Sequence, residues 1–151
     1  MNVEFYDSKR KKKLLEQLHI EFGMSEVPKV LFETGKERIR GFTGDLTIDE
    51  LYNLADIANV EFMGLYLFRQ EERFIRVSFD AMPLFKDQFT HHVVDLTYEQ
   101  LEQWMHGHNI VMVLEKGLYV VRHNGDVFGC GISDGRVLIN FVPKERRIRR
   151  S

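Results

Sequence analysis

Residues 124–150 read NGDVFGCGISDGRVLINFVPKERRIRR, and this stretch decides what kind of fold the chain adopts. Asn124-Gly125 signals a tight hairpin turn, because both central residues of such a turn need positive φ. Ser133-Asp134-Gly135 marks a second turn, and Pro143 ends the meander. Upstream, Glu115-Lys116-Gly117 supplies one more turn, so four short strands are expected at about Val111–Leu114, Tyr119–His123, Val127–Gly131 and Val137–Phe141. Short strands with closely spaced turns favour a small barrel over an open sheet. Just before them, Thr97 and Gln100 form a capping box that opens a helix with Leu101, Trp104 and Met105 inside, stopped by Gly107.

Working back from there, Asp80 to His92 sustains no period and is broken by Pro83, so it reads as the connection between two halves, 1–88 and 89–151. The first half opens with a short strand at Val3–Tyr6. Asp7 or Ser8 then caps a helix to about Phe22, with Leu14, Leu15, Leu18 and Phe22 at helical spacing and Gly23 as its stop. Lys29–Glu33 and Glu37–Phe42 form a hairpin across Thr34-Gly35-Lys36. Thr47 and Glu50 are a capping box for a helix to about Ala58, and Glu61–Phe68 and Phe74–Phe79 are strands. The fold class is α+β: antiparallel strands with two helices on one face, then the small β-barrel.

Charge is concentrated. The formal net charge is −2, yet five of the seven residues from Lys144 to Arg150 are cationic, and Lys9-Arg10-Lys11-Lys12-Lys13 is a second basic run. A cationic strip on a folded β-module reads either as a polyanion contact or as a solvated terminus. Cations near a helix N-terminus oppose the macrodipole, so stability does not ask for Lys9–Lys13 there. Solubility and polyanion contact both remain open for that run. Lys144, Arg146, Arg147, Arg149 and Arg150 are the candidate phosphate contacts, with Arg136, Arg122 and Lys116 extending the surface and Lys9–Lys13 as a second contact. Tyr119, Phe128 and Phe141 lie on the neighbouring strands, as base-stacking platforms or as core.

Other chemistry fits less well. Gly125, Gly129, Gly131 and Gly135 are followed by strand instead of a helix N-terminus, so they make no phosphate loop. His91-His92 and His106/His108 with the single Cys130 fall short of a structural zinc set, and no metal or cofactor is expected. Cys130 with His123 is the one nucleophile pair to test, and Asp45, Asp49 and Glu50 read as helix-start chemistry. No catalytic set emerges. No apolar run approaches a membrane span, the N-terminus has no signal-peptide core and there is no cysteine pair, so a soluble cytoplasmic protein is expected.

Five motifs in order carry a family resemblance: Lys36-Glu37-Arg38-Ile39-Arg40-Gly41-Phe42-Thr43-Gly44, Gly64-Leu65-Tyr66-Leu67, Arg76-Val77-Ser78-Phe79-Asp80, Gly129-Cys130-Gly131, and Asn140 through Arg150. Together they resemble an archaeal family of short ribosome-biogenesis proteins. That family is related to the PUA-like RNA-binding portion of Sun-family RNA cytosine-5 methyltransferases. The resemblance implies an N-terminal α/β pre-PUA-like region followed by a PUA-like barrel that holds structured rRNA or tRNA in the groove between its helix and nearby strands. It also implies a non-enzymatic protein, since the cofactor loop and catalytic cysteine motifs of those methyltransferases have no counterpart here and 151 residues leave no room for them. The rival reading is an adaptor whose acidic N-terminal half docks a separate RNA methyltransferase or assembly factor; neither reading involves a membrane.

Overall fold

The computed structural model describes residues 3–35, 37–42 and 64–149. The helix expected from Thr47 to Ala58 lies outside the described residues. The first sheet is an antiparallel meander of β1 (Val3–Phe5), β2 (Val30–Thr34), β3 (Arg38–Phe42), β4 (Leu65–Gln70) and β5 (Ile75–Val77), in that order. Helix α1 (Ser8–Phe22) covers one face of it. Asp7 Oδ1 accepts from the Arg10 N–H at 2.8 Å as the N-cap, and Gly23 closes the helix at φ 76°. The apolar stripe Leu14, Leu18 and Phe22 packs on Leu31, Ile39, Phe68, Ile75 and Val77.

The connecting segment is part of the core. Its short helix α2 (Met82–Phe85) buries Met82 and Phe85, and Phe89 follows. Phe85 stacks on Phe68 at 5.4 Å, and Phe89 meets Phe22 edge-on at 5.8 Å.

The second sheet holds β6 (Val93–Asp95), β7 (Ile110–Val111), β8 (Gly117–His123), β9 (Asp126–Ser133) and β10 (Val137–Asn140), ordered β6-β8-β9-β10-β7. It curls into a half-barrel around helix α3 (Tyr98–Met105), whose Thr97/Gln100 capping box is complete. Asn124 (φ 49°) and Gly125 (φ 83°) make the expected two-residue hairpin between β8 and β9.

Three features depart from expectation. First, β6 pairs in parallel with β8, a non-local match for which three residues carry no sequence signal. Second, the strand expected at 111–114 is only Ile110–Val111. The Met112 N–H still reaches Arg136 O at 2.9 Å, but Val113 is exposed and the Leu114 carbonyl accepts from the Ser133 hydroxyl. Third, β9 carries an extra residue against β8: Cys130 pairs with Val120 and Val127 with Arg122. Gly129, at φ 93°, absorbs this bulge, and the Phe128 carbonyl beside it accepts from Trp104 Nε1 at 2.8 Å.

β8 is buried on both faces. Leu118 and Val120, with Cys130 of β9, join the core that also holds Leu14 and Phe68. Val121 joins the second cluster with Val94, Leu96, Trp104, Ile110, Leu138 and Val142. Apolar packing therefore runs without interruption from the α1 side to the half-barrel.

Candidate nucleic-acid interface

After β10 the chain is fastened to the end of α3. Asn140 is buried, and its Nδ2 donates to the carbonyls of Trp104 (2.7 Å) and His108 (3.0 Å). Its Oδ1 accepts from the Val142 N–H at 2.7 Å, while its own N–H donates to Asn109 Oδ1. This staple aims the tail across the C-terminal end of α3. Pro143 then opens a single 3-10 turn, Lys144–Arg146. The Ile148 N–H donates to Met105 O at 2.8 Å, and Arg147 Nε donates to Val142 O at 3.1 Å. The Arg147 side chain lies against Gly107, where a Cβ would come within 2.6 Å of its Cδ. Gly107 also holds φ at 91°, a conformation that favours glycine.

The tail cations are therefore docked, and their heads differ. Arg146 pairs with Asp80 at 2.9 Å, both about half exposed. Lys144 and Arg149 are exposed and have no ion pair among the described residues. Arg149 lines a groove of about 920 Å³ beside α3 together with Glu99, Glu102, His106 and His108. Its lining comes from α3, the loop that follows it and the tail, with no strand residue among those described, and its helix wall is acidic. Arg150 lies outside the described residues.

The remaining candidates are scattered. Arg122 is held by Asp95 through two hydrogen bonds of 2.7 and 3.0 Å, and this pairing keeps the Asp95 carboxyl below the usual carboxylate range. An exposed pair of this kind is worth about 0–1 kcal/mol, so a phosphate can displace it at little cost. Arg136 lies in the β9–β10 turn, and Lys116, just before β8, comes up beside Gly135 of that turn, at the opposite end of β10 from the tail. There Asp134 Oδ1 accepts from the Arg136 and Val137 N–H groups. In the second basic run, Arg10 hydrogen-bonds Glu33, pairs with Glu4 and covers the Tyr6 ring at 4.0 Å, and Lys11 Nζ donates to Lys29 O. Lys9, Lys12 and Lys13 are exposed. That run sits on the α1 side of the first sheet, and no ion pair or hydrogen bond among the described residues joins it to the tail.

Of the aromatic candidates, Tyr119 and Phe128 are half-buried against the second core cluster and Phe141 against the first. The Tyr119 hydroxyl donates to Glu115 O. Asp80, Asp95 and Asn140 are the residues that sequence reasoning did not single out. Their roles depend on contacts across 27 to 66 positions, which no local pattern reveals.

Cys130 is fully enclosed. Burial, opposed by nearby Arg76, pushes its thiol up to about 11, so almost none is thiolate at neutral pH. His123 Nδ1 is occupied by Leu96 O at 2.8 Å. Alkylation of the native protein with iodoacetamide at pH 7 is expected to be at least 100-fold slower than that of the unfolded chain, about the thiolate deficit. Equal rates would show an accessible, reactive thiol.

No described helix is long and apolar enough to cross a membrane. No curated protein matches the chain at a significant level. Residues 91–148 match the family described as the methyltransferase RsmF PUA domain, so this part of the chain, from the start of β6 to the docked tail, carries a PUA domain related to the RNA-binding portion of Sun-family methyltransferases.

Proposed function

We propose that this chain is a non-catalytic RNA-binding protein of ribosome biogenesis or of rRNA or tRNA modification, working in the cytoplasm. The observation that carries the reading is the union of a PUA domain with a cationic tail docked on it, its Lys144 and Arg149 heads without carboxylate partners among the described residues. Phosphates of structured RNA would run along the tail, and Arg146 and Arg122 would exchange exposed carboxylates for phosphate oxygens. Such contacts position an RNA, and any choice of sequence comes from unpaired bases.

Deleting the tail would also remove the Ile148–Met105 and Arg147–Val142 bonds, so charge removal by substitution is the cleaner test. K144Q/R149Q is expected to keep the melting temperature and to flatten the log–log salt dependence of hairpin-RNA binding by about 1.5, at roughly 0.7–0.9 per lost phosphate contact. An unchanged slope removes the tail from the interface. If the wild-type chain binds no structured RNA but retains a protein partner after nuclease treatment, the adaptor reading replaces this one.

A further inference from the structure

The first sheet carries an arrangement of charge that its own folding does not require. By register, Arg38 of β3 stands opposite Arg69 of β4, and Arg69 stands opposite Arg76 of β5. Three arginines thus stand side by side on adjacent strands, their backbones spanning about 10 Å at ordinary strand spacing. Like charges directly opposite one another destabilise a sheet. Ile39, Phe68, Ile75 and Val77, the residues alternating with them, point into the core, so the row lies on the face away from α1.

Among the described residues Glu71 is the only carboxylate paired with the row, 3.6 Å from Arg69 Nε and 3.4 Å from Arg76 Nη1, which leaves a surplus of two positive charges among them. Arg69 Nε is buried and has no hydrogen-bond partner among the described residues, although a buried charged donor ordinarily finds one. Arg40, next along β3, is not part of the row: it is engaged by Thr34 Oγ1 and Gly64 O.

Two rings hold the guanidinium planes in place. Arg38 lies over Tyr66 at 5.5 Å and Arg76 over Phe141 at 4.4 Å. Stacking on a ring fixes a guanidinium plane and leaves its N–H edge as a fork suited to phosphate oxygens. Part of the Arg76 edge is already taken by Glu71 and lies near the buried Cys130 thiol. Phe141 belongs to the PUA segment and stands three residues before Lys144, so the row meets the tail at the joint between the two halves.

We infer that Arg38, Arg69 and Arg76, with Tyr66 and Phe141, form a second RNA-backbone contact, so that a bound RNA crosses from the PUA domain onto the first sheet. This rests on the RNA-binding reading above. Alternating guanidinium groups and aromatic faces is the pattern of single-stranded RNA binding, and favours RNA over an acidic protein surface as the occupant.

The test uses the full chain and a hairpin RNA with a single-stranded flank, titrated across a salt series. R38Q/R69Q is expected to weaken binding roughly tenfold at moderate salt, with a slope flatter by about 1 per arginine. Its melting temperature should hold or rise, because the like-charge row is relieved. R38K/R69K should recover the slope. If R38Q/R69Q leaves affinity and slope intact while K144Q/R149Q flattens the slope, the row is overturned and the tail reading stands. If the wild-type chain binds no RNA, both fall. A weakened affinity with a lowered melting temperature assigns the row to the fold and overturns its role in binding.

Discussion

Replacing Trp104 by alanine is expected to remove about 3–5 kcal/mol of stability, the range for emptying a fully buried large aromatic site. A domain of this size is stable by only about 5–15 kcal/mol, so the variant should lie near its folding limit. The indole is fully buried, its ring lies against Gly131, where a Cβ would come within 2.7 Å of Cη2, and Nε1 donates to the carbonyl at the β9 bulge. One side chain thus fills the half-barrel, occupies the space left by a missing Cβ and satisfies the acceptor beside the bulge. W104F separates these contributions. It keeps most of the apolar contact but leaves the Phe128 carbonyl without its donor, for a loss of about 1–3 kcal/mol. Urea midpoints followed by far-UV circular dichroism check both, since the chain has one tryptophan and loses its fluorescence signal. Equal losses in the two variants would show that the hydrogen bond, and not the packing, carries the effect.

The second large effect is expected at Asn140. Asn140→Ala deprives the Trp104 and His108 carbonyls of a donor and the Val142 N–H of an acceptor, at a cost of about 3 kcal/mol for groups that are at least partly buried. The loss should have a local signature as well. With the staple gone, hydrogen exchange at Val142 and Ile148 should accelerate, and RNA affinity should fall with the tail's order even though every cation is retained. N140D sharpens the assignment. Its carboxylate would face two carbonyl oxygens, so the folded state raises the acid's pKa and favours the protonated form. A raised pKa of this kind means stability is greatest at low pH and is lost as pH rises through the carboxylate range, from about 4 upward. An N140D protein whose stability does not depend on pH would place residue 140 in contact with solvent.

Local chemistry was the legible part of this molecule. Asp7 and Gly23 bracket α1, Thr97 and Gln100 open α3, and Asn124-Gly125 turns β8 into β9, because each signal is complete within a few residues. The PUA domain was legible through the order of its motifs. What stayed hidden depends on pairing between distant strands. The parallel match of β6 with β8 and the bulge at Gly129 have no local signature. Arg38, Arg69 and Arg76 become neighbours only once three strands are in register. The tail was visible as charge, but its partners were not. Asp80 neutralises Arg146 from 66 positions away, and Asp95 neutralises Arg122 from 27.

The uninterrupted packing through β8 bears on how this PUA domain can be handled as a part. A fragment beginning near residue 91 would carry Leu118, Val120 and Cys130 out of their apolar surroundings, and the α1 sheet left behind would lose the side chains that complete its own interior. Neither piece is a cassette. The half-barrel grafted alone onto another protein would arrive with an adhesive flank, and recombination that exchanges domains at this boundary would have to supply a matching partner surface. Inheritance of the two halves as one block is the arrangement that the shared interior favours.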